Sequence, residues 1–185
     1  IKPDNYIIKK MNPNNWFTIF CFCAIATLLS VSYGWLVKQG KLPFKSVMAF
    51  SDTQWQFMKV WVNVALILGV VIPVVLLVIF WNEPILQQFF GCYLLVVAIQ
   101  LVSEIGFSRT LCKSVVVIIG TLYTGFRIWQ LCSGLQLITY SQPWLALLWL
   151  VLLFWIANMI MLTTMAIPSI LPESNAYSWK GKKTD

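Results

Sequence analysis

Arg127 is the residue whose chemistry most needs explaining, because it stands in the middle of an otherwise uncharged stretch running from 114 to 137. It lies 13 residues into that stretch, or about 20 Å along a helix. A guanidinium at that depth of a membrane costs at least about 2.5 kcal/mol to insert, so it must have partners. On its own helical face stand Gly120, Tyr123, Thr124, Gln130 and Gly134. This small and polar stripe should meet protein rather than lipid.

Partners are available on two other apolar runs. Gln100 and Glu104 are four apart on one face of the third run, with Ser103 beside them, and Asn158 lies on the fifth. Side chains lean toward the N-terminus of their own helix, which leaves a residual gap between Glu104 and the guanidinium. The two therefore meet directly, or through Gln100 or a water. Arg127, Glu104, Gln100, Asn158 and Gln130 form the candidate polar cluster. It is either a buried knot that sets helix register or docks a neighbouring subunit, or a site for an anionic headgroup, a small solute or a proton. A proton relay is the weakest of these, because only Glu104 titrates usefully and the chain has no histidine.

The missing histidine also removes the commonest metal and haem ligand. Five cysteines, Cys21, Cys23, Cys92, Cys112 and Cys132, show no CxxC or Cys/His spacing and read as buried structural thiols. There is no GxSxG, no glycine-rich phosphate loop and no pair of carboxylates in an apolar run. The expectation is a non-enzyme with no catalytic residue, no metal site and no cofactor. The 12 phenylalanines and ten tryptophans could line a pigment, quinone or sterol pocket, but in membrane bundles such residues are mostly interface belt and filler.

The elements that must position the cluster follow from composition. The chain is 59% hydrophobic and 10% charged, with a mean hydropathy of +0.80. A soluble chain carries about a quarter charged residues. At about 20 apolar residues per membrane-crossing helix, the apolar runs give five spans, at about 16–36, 60–81, 85–106, 114–137 and 144–167. The fold class is an all-α integral membrane protein: a bundle of about five transmembrane helices within 16–167, between a polar N-terminal tail, 1–15, and a polar basic C-terminal tail, 168–185. The first 15 residues have three lysines and no apolar core, so they do not read as a signal peptide. No internal repeat is apparent.

Trp16 and Trp35 are 19 positions apart and Trp61 and Trp81 are 20 apart. Both pairs span about 30 Å of helix, the thickness of a hydrocarbon core, and read as interface anchors. Ser51-Asp52-Thr53-Gln54 is a capping box opening the second helix. Ahead of it, Phe44, Val47 and Met48 fall at helical spacing with Trp55 and Met58, opposite Lys45, Asp52, Gln56 and Lys59. An amphipathic surface segment before the second span is expected. Pro73 should kink the second span, and Pro168 should end the fifth. Ala26, Ser30 and Gly34 form a small-residue packing strip on the first span, with Thr121 and Gly125 a shorter one on the fourth.

Charge sets the expected orientation. With five spans, one side carries Lys2, Lys9 and Lys10, and the other carries Lys38, Lys41, Lys45, Lys59, Arg109, Lys113, Lys180, Lys182 and Lys183. The excess places the N-terminus outside and the C-terminus in the cytosol, or in the stroma or matrix of an organelle. The final Lys182-Lys183-Thr184-Asp185 resembles the dilysine endoplasmic-reticulum retrieval signal, and equally suits a tail held against anionic lipid. The cations are spread between apolar runs, so nucleic acid is not an expected partner. Membrane lipid and other membrane-protein subunits are. The functional expectation is a non-catalytic accessory or assembly subunit of a larger membrane complex. The alternative is a lipid or small-anion binding or carrier protein centred on Arg127.

Overall fold

A computed structural model describes residues 15–137 and 142–172. The described chain is all-helical, and five of its helical runs are long and apolar enough to cross a membrane: Trp16–Lys38, Asp52–Ile79, Pro84–Thr110, Val115–Leu135 and Pro143–Ile170. The tail lysines Lys2, Lys9, Lys10, Lys180, Lys182 and Lys183, and with them the terminal dilysine, lie outside the described residues.

Helix α1 (Trp16–Lys38) starts at Asn15, whose side chain accepts from the Phe17 amide. Helix α2 (Asp52–Leu66) opens with the capping box: the Ser51 hydroxyl accepts from the Gln54 amide at 3.3 Å, and the Ser51 amide donates to Gln54 Oε1 at 3.0 Å. The second run then widens into a π-turn (Ile67–Val71) and resumes as α3 (Ile72–Ile79). Helices α4 (Pro84–Thr110), α5 (Val115–Leu137) and α6 (Gln142–Met161) follow. The last run widens at Leu162–Ala166 and closes with α7 (Ile167–Ile170).

Pro168 does not end the fifth run, contrary to expectation. In the two runs with a proline beyond the first turn, a five-residue wide turn precedes an Ile-Pro pair. The Ile72 amide donates to the carbonyl of Ile67, and the Ile167 amide to that of Leu162, each five residues back. A proline ring clashes with the carbonyl four residues earlier, and the wide turn takes up that conflict without breaking the rod. In the fifth run the Thr164 and Ser169 hydroxyls also donate to nearby carbonyls, those of Ile160 and Ala166.

The segment before α2 corrects a second expectation. It is not an amphipathic helix. The chain leaves α1 through Gly40, at φ +70°, a conformation that favours glycine. It then runs in irregular form across one end of the bundle. The Lys45 amide donates to the Ile170 carbonyl at 2.8 Å, the Ala49 amide to the Ser169 carbonyl at 3.2 Å, and the Ser114 amide to the Ser46 carbonyl at 3.1 Å. The last carbonyls of a helix have no partner within it, and the strap supplies donors. Phe44, Met48 and Phe50 pack inward, whereas Val47 faces out.

The strap gathers the cationic chain ends. Lys38 Nζ donates to the last carbonyl of α4, that of Thr110, at 3.0 Å, and Lys41 lies 5.1 Å above the Trp35 ring. Lys45, Arg109 and Lys113 belong to the same end, and the Trp81–Pro84 turn to the other. Among the cysteines, Cys23, Cys92 and Cys112 are buried, but Cys21 and Cys132 face outward, so the expectation of buried thiols holds for three of the five.

Ala26, Ser30 and Gly34 are all buried within this chain. Ala26 joins the cluster around Val96, Ile119 and Tyr123, and Gly34 lies against Leu111. A second close approach is that of α5 to α4 at Gly134, where a Cβ would collide with the Phe89 ring. Replacing Gly134 by alanine is expected to cost about 1–3 kcal/mol through overpacking. Thermal unfolding in detergent should show the loss, with partial recovery in the double variant Gly134→Ala/Phe89→Leu. An unchanged midpoint in the single variant would mean that the two helices do not meet there.

Candidate functional site

Four runs of the bundle meet around Arg127. The residue is 2% exposed, and its guanidinium carbon stands 4.2 Å from the centroid of the Trp155 ring. An aromatic face attracts a cation most strongly where water is excluded. Trp155 is itself fixed: its indole N–H donates to the Tyr93 hydroxyl at 2.7 Å. Gly69, in the wide turn of the second run, lies against the far edge of the indole, where a Cβ would come within 2.5 Å of Cζ2. The absence of a side chain at Gly69 is what allows the second run to reach Trp155.

One face of the guanidinium is relayed to an acid. Arg127 Nη2 donates to Gln100 Oε1, and Gln100 Nε2 donates to Glu104 Oε1. The polarity of this chain is forced, since arginine only donates and an ionised carboxylate only accepts. The amide must turn its oxygen to the cation and its NH2 to the acid. Of the routes open on sequence grounds between Glu104 and Arg127, the structure holds the one through Gln100. Arg127 Nε has no hydrogen-bond partner.

Asn158 makes a second bridge. Its Nδ2 donates to Thr124 Oγ1 at 2.9 Å and its Oδ1 accepts from Trp61 Nε1 at 2.7 Å, linking the fifth run to the fourth and the second. Trp61 is therefore turned inward. The expectation that it anchors an interface is corrected, whereas Trp16, Trp35 and Trp81 face outward. Gln130 is fully buried, one turn beyond Arg127 on the same helix.

Between these groups lies a cavity of about 250 Å³, walled by Arg127, Gln100, Glu104, Asn158, Trp61 and Trp155 together with apolar side chains. Gln130 is not part of its wall. Gly69 and Leu162 bring a residue of each wide turn to it. Its rim includes Val62, Leu66 and Leu101, which are 57%, 51% and 43% exposed. The mouth thus opens sideways, between the second and third runs, onto the apolar flank of the bundle. It exists because those runs are closed together by α3 against α4, while α2 has no buried residue at all.

Spacing along the helices brought Arg127, Gln100, Glu104 and Asn158 forward as candidates. It missed Trp155, Trp61 and Tyr93. Trp155 is three residues before Asn158, hence on the same face, and that spacing was the available signal. Compared with protein-family models, curated proteins and solved structures, the chain gives no match in any of the three.

Gln100 holds both charges, so Gln100→Leu should destabilise the bundle by about 1.5–3 kcal/mol, the range for losing a hydrogen bond to a charged group. Arg127→Lys should not behave as a conservative change, because an ammonium cannot reproduce the planar stack on Trp155. Replacing Arg127, Gln100 and Glu104 together by leucine should cost less than the sum of the single changes. Unfolding midpoints in detergent check this, and simple additivity would show that the three do not act as a unit.

Proposed function

We propose that this chain is a binding or carrier protein for a lipid-like molecule, taken from the membrane into the cavity at Arg127. The observation that carries this reading is the cavity itself: a buried guanidinium in its wall and an apolar mouth on the flank of the bundle. Few precisely placed polar groups in an otherwise apolar concavity are the general form of a small-molecule site. A volume of about 250 Å³ exceeds a cavity that takes benzene, about 150 Å³, and so accepts a polar head with its first few carbons. The remainder of a chain would lie along Val62, Leu66 and Leu101.

In this reading the bundle sits in a membrane with the end bearing Lys38, Lys41, Lys45, Arg109 and Lys113 toward the cytosol, or the stroma or matrix. A second reading, an accessory subunit of a larger membrane complex, is favoured by one observation: none of Asp52–Leu66 is buried. The strip Ala26, Ser30 and Gly34 does not support it, being covered within the chain.

The two readings separate on purified protein. Lipid extracted from the chain in mild detergent is expected to contain one molecular class in stoichiometric amount, identified by mass spectrometry. Leu101→Trp, at the rim, should displace it while leaving a folded, monodisperse protein whose melting temperature falls only by the stabilisation the lipid supplied. Bound lipid that merely mirrors the bulk membrane in both proteins would overturn the carrier reading, and a stoichiometric partner chain in the same preparation would establish the other.

A further inference from the structure

Resting on the carrier reading, we infer that the molecule taken into the Arg127 cavity carries an uncharged oxygen head, a hydroxyl or a carbonyl, on an apolar tail, and is not an anionic lipid. The inference comes from charge balance in the wall. Of the residues that line the cavity only Arg127 and Glu104 bear charge, one of each sign, and Gln100 joins them in a single hydrogen-bonded relay. The guanidinium stays protonated under all ordinary conditions. With Glu104 ionised, it is already balanced within the wall the two share.

An entering carboxylate or phosphate would add an uncompensated negative charge beside Glu104 while leaving water, a cost that a site without surplus positive charge cannot offset. An uncharged oxygen has no such cost. It needs only a donor, and the side-chain amides of Gln100 and Asn158, both in the wall, each carry a second hydrogen beyond the one donated to Glu104 or Thr124. An alcohol could also donate toward the carboxylate, and an ester or ketone could not. The volume argues in the same direction, since about 250 Å³ suits a small head with its first few carbons better than a bulky phosphodiester head. The tail is fixed as apolar by the mouth, where Val62, Leu66 and Leu101 are exposed.

The test uses the full chain in nanodiscs at pH 9, where fatty acids are ionised, and three probes with one tail: 9,10-dibromostearyl alcohol, methyl 9,10-dibromostearate and 9,10-dibromostearate. Bromine quenches tryptophan, and Trp61 and Trp155 line the cavity. Saturable quenching is expected at concentrations at least tenfold lower for the alcohol and the ester than for the carboxylate, the tighter of the two telling hydroxyl from carbonyl. Glu104→Gln keeps an acceptor for Gln100 but leaves the wall net positive, so the preference should narrow or invert. Carboxylate binding to the unmodified protein as tight as that of the uncharged probes, and lost in Arg127→Leu, would overturn the uncharged head and leave the carrier reading standing. Absence of saturable quenching by any probe would overturn both.

Discussion

The bundle is organised by the cost of keeping one guanidinium away from water. Most membrane helices can rotate or slide with small penalties, because lipid and protein offer similar apolar surroundings. Arg127 removes that freedom. Its hydrogen bond to Gln100 sets the fourth run against the third, its stack on Trp155 sets it against the fifth, and Gly69 brings the second run to the far edge of the same indole. Tyr93 then ties Trp155 back to the third run. Four of the five runs are thus registered around one side chain, and a misplaced helix would strand a charge among apolar side chains.

The same constraint explains why a cavity survives in a tightly packed bundle. The second run contributes to the cluster through Trp61 and Gly69, yet none of its first 15 residues is buried. It packs closely through α3 and more loosely along Asp52–Leu66, where Val64 and Ala65 touch the core without being buried. The two wide turns have a part in this. By absorbing the prolines they let long rods continue with a local change of pitch, and each presents a residue, Gly69 or Leu162, to the cavity. Wide turns of this kind recur at functional sites because they shift side chains out of regular helical phase.

How much of this was legible in the sequence depended on whether the governing interaction was local. The capping box at Ser51 was legible because both its hydrogen bonds lie within four residues. The five apolar runs were legible because hydropathy is a property of each segment alone. Gln100, Glu104 and Arg127 could be grouped because polar residues in an apolar run must find one another. The strap was not legible: Phe44, Val47 and Met48 carry helical spacing, but the carbonyls that hold the segment extended belong to Ser169 and Ile170, at the far end of the chain. Trp61 was illegible for another reason, and Trp155 showed only through its spacing from Asn158. A tryptophan suits an interface, a lipid-facing flank and a cavity wall alike, and only the position of Asn158 and Arg127 in space decides among them.

The polarity of the relay carries a consequence for selectivity that holds whatever the guest. Because the guanidinium can only donate and an ionised carboxylate can only accept, Gln100 cannot reverse, and the amide dipole lies permanently along the line from cation to acid. A protein that needed to capture an anion would leave its arginine without such a counterweight, or would surround it with further donors. Here the counterweight is built into the third helix, four residues from the amide that connects it. The arrangement lowers the cost of holding Arg127 in hydrocarbon, and in doing so it removes the surplus field that would draw an anion. What the wall keeps beside this relay are the amides of Gln100 and Asn158, each with a second hydrogen beyond its bond to Glu104 or Thr124. On the proposed carrier reading, stability of the bundle and preference for an uncharged guest rest on the same arrangement of three side chains.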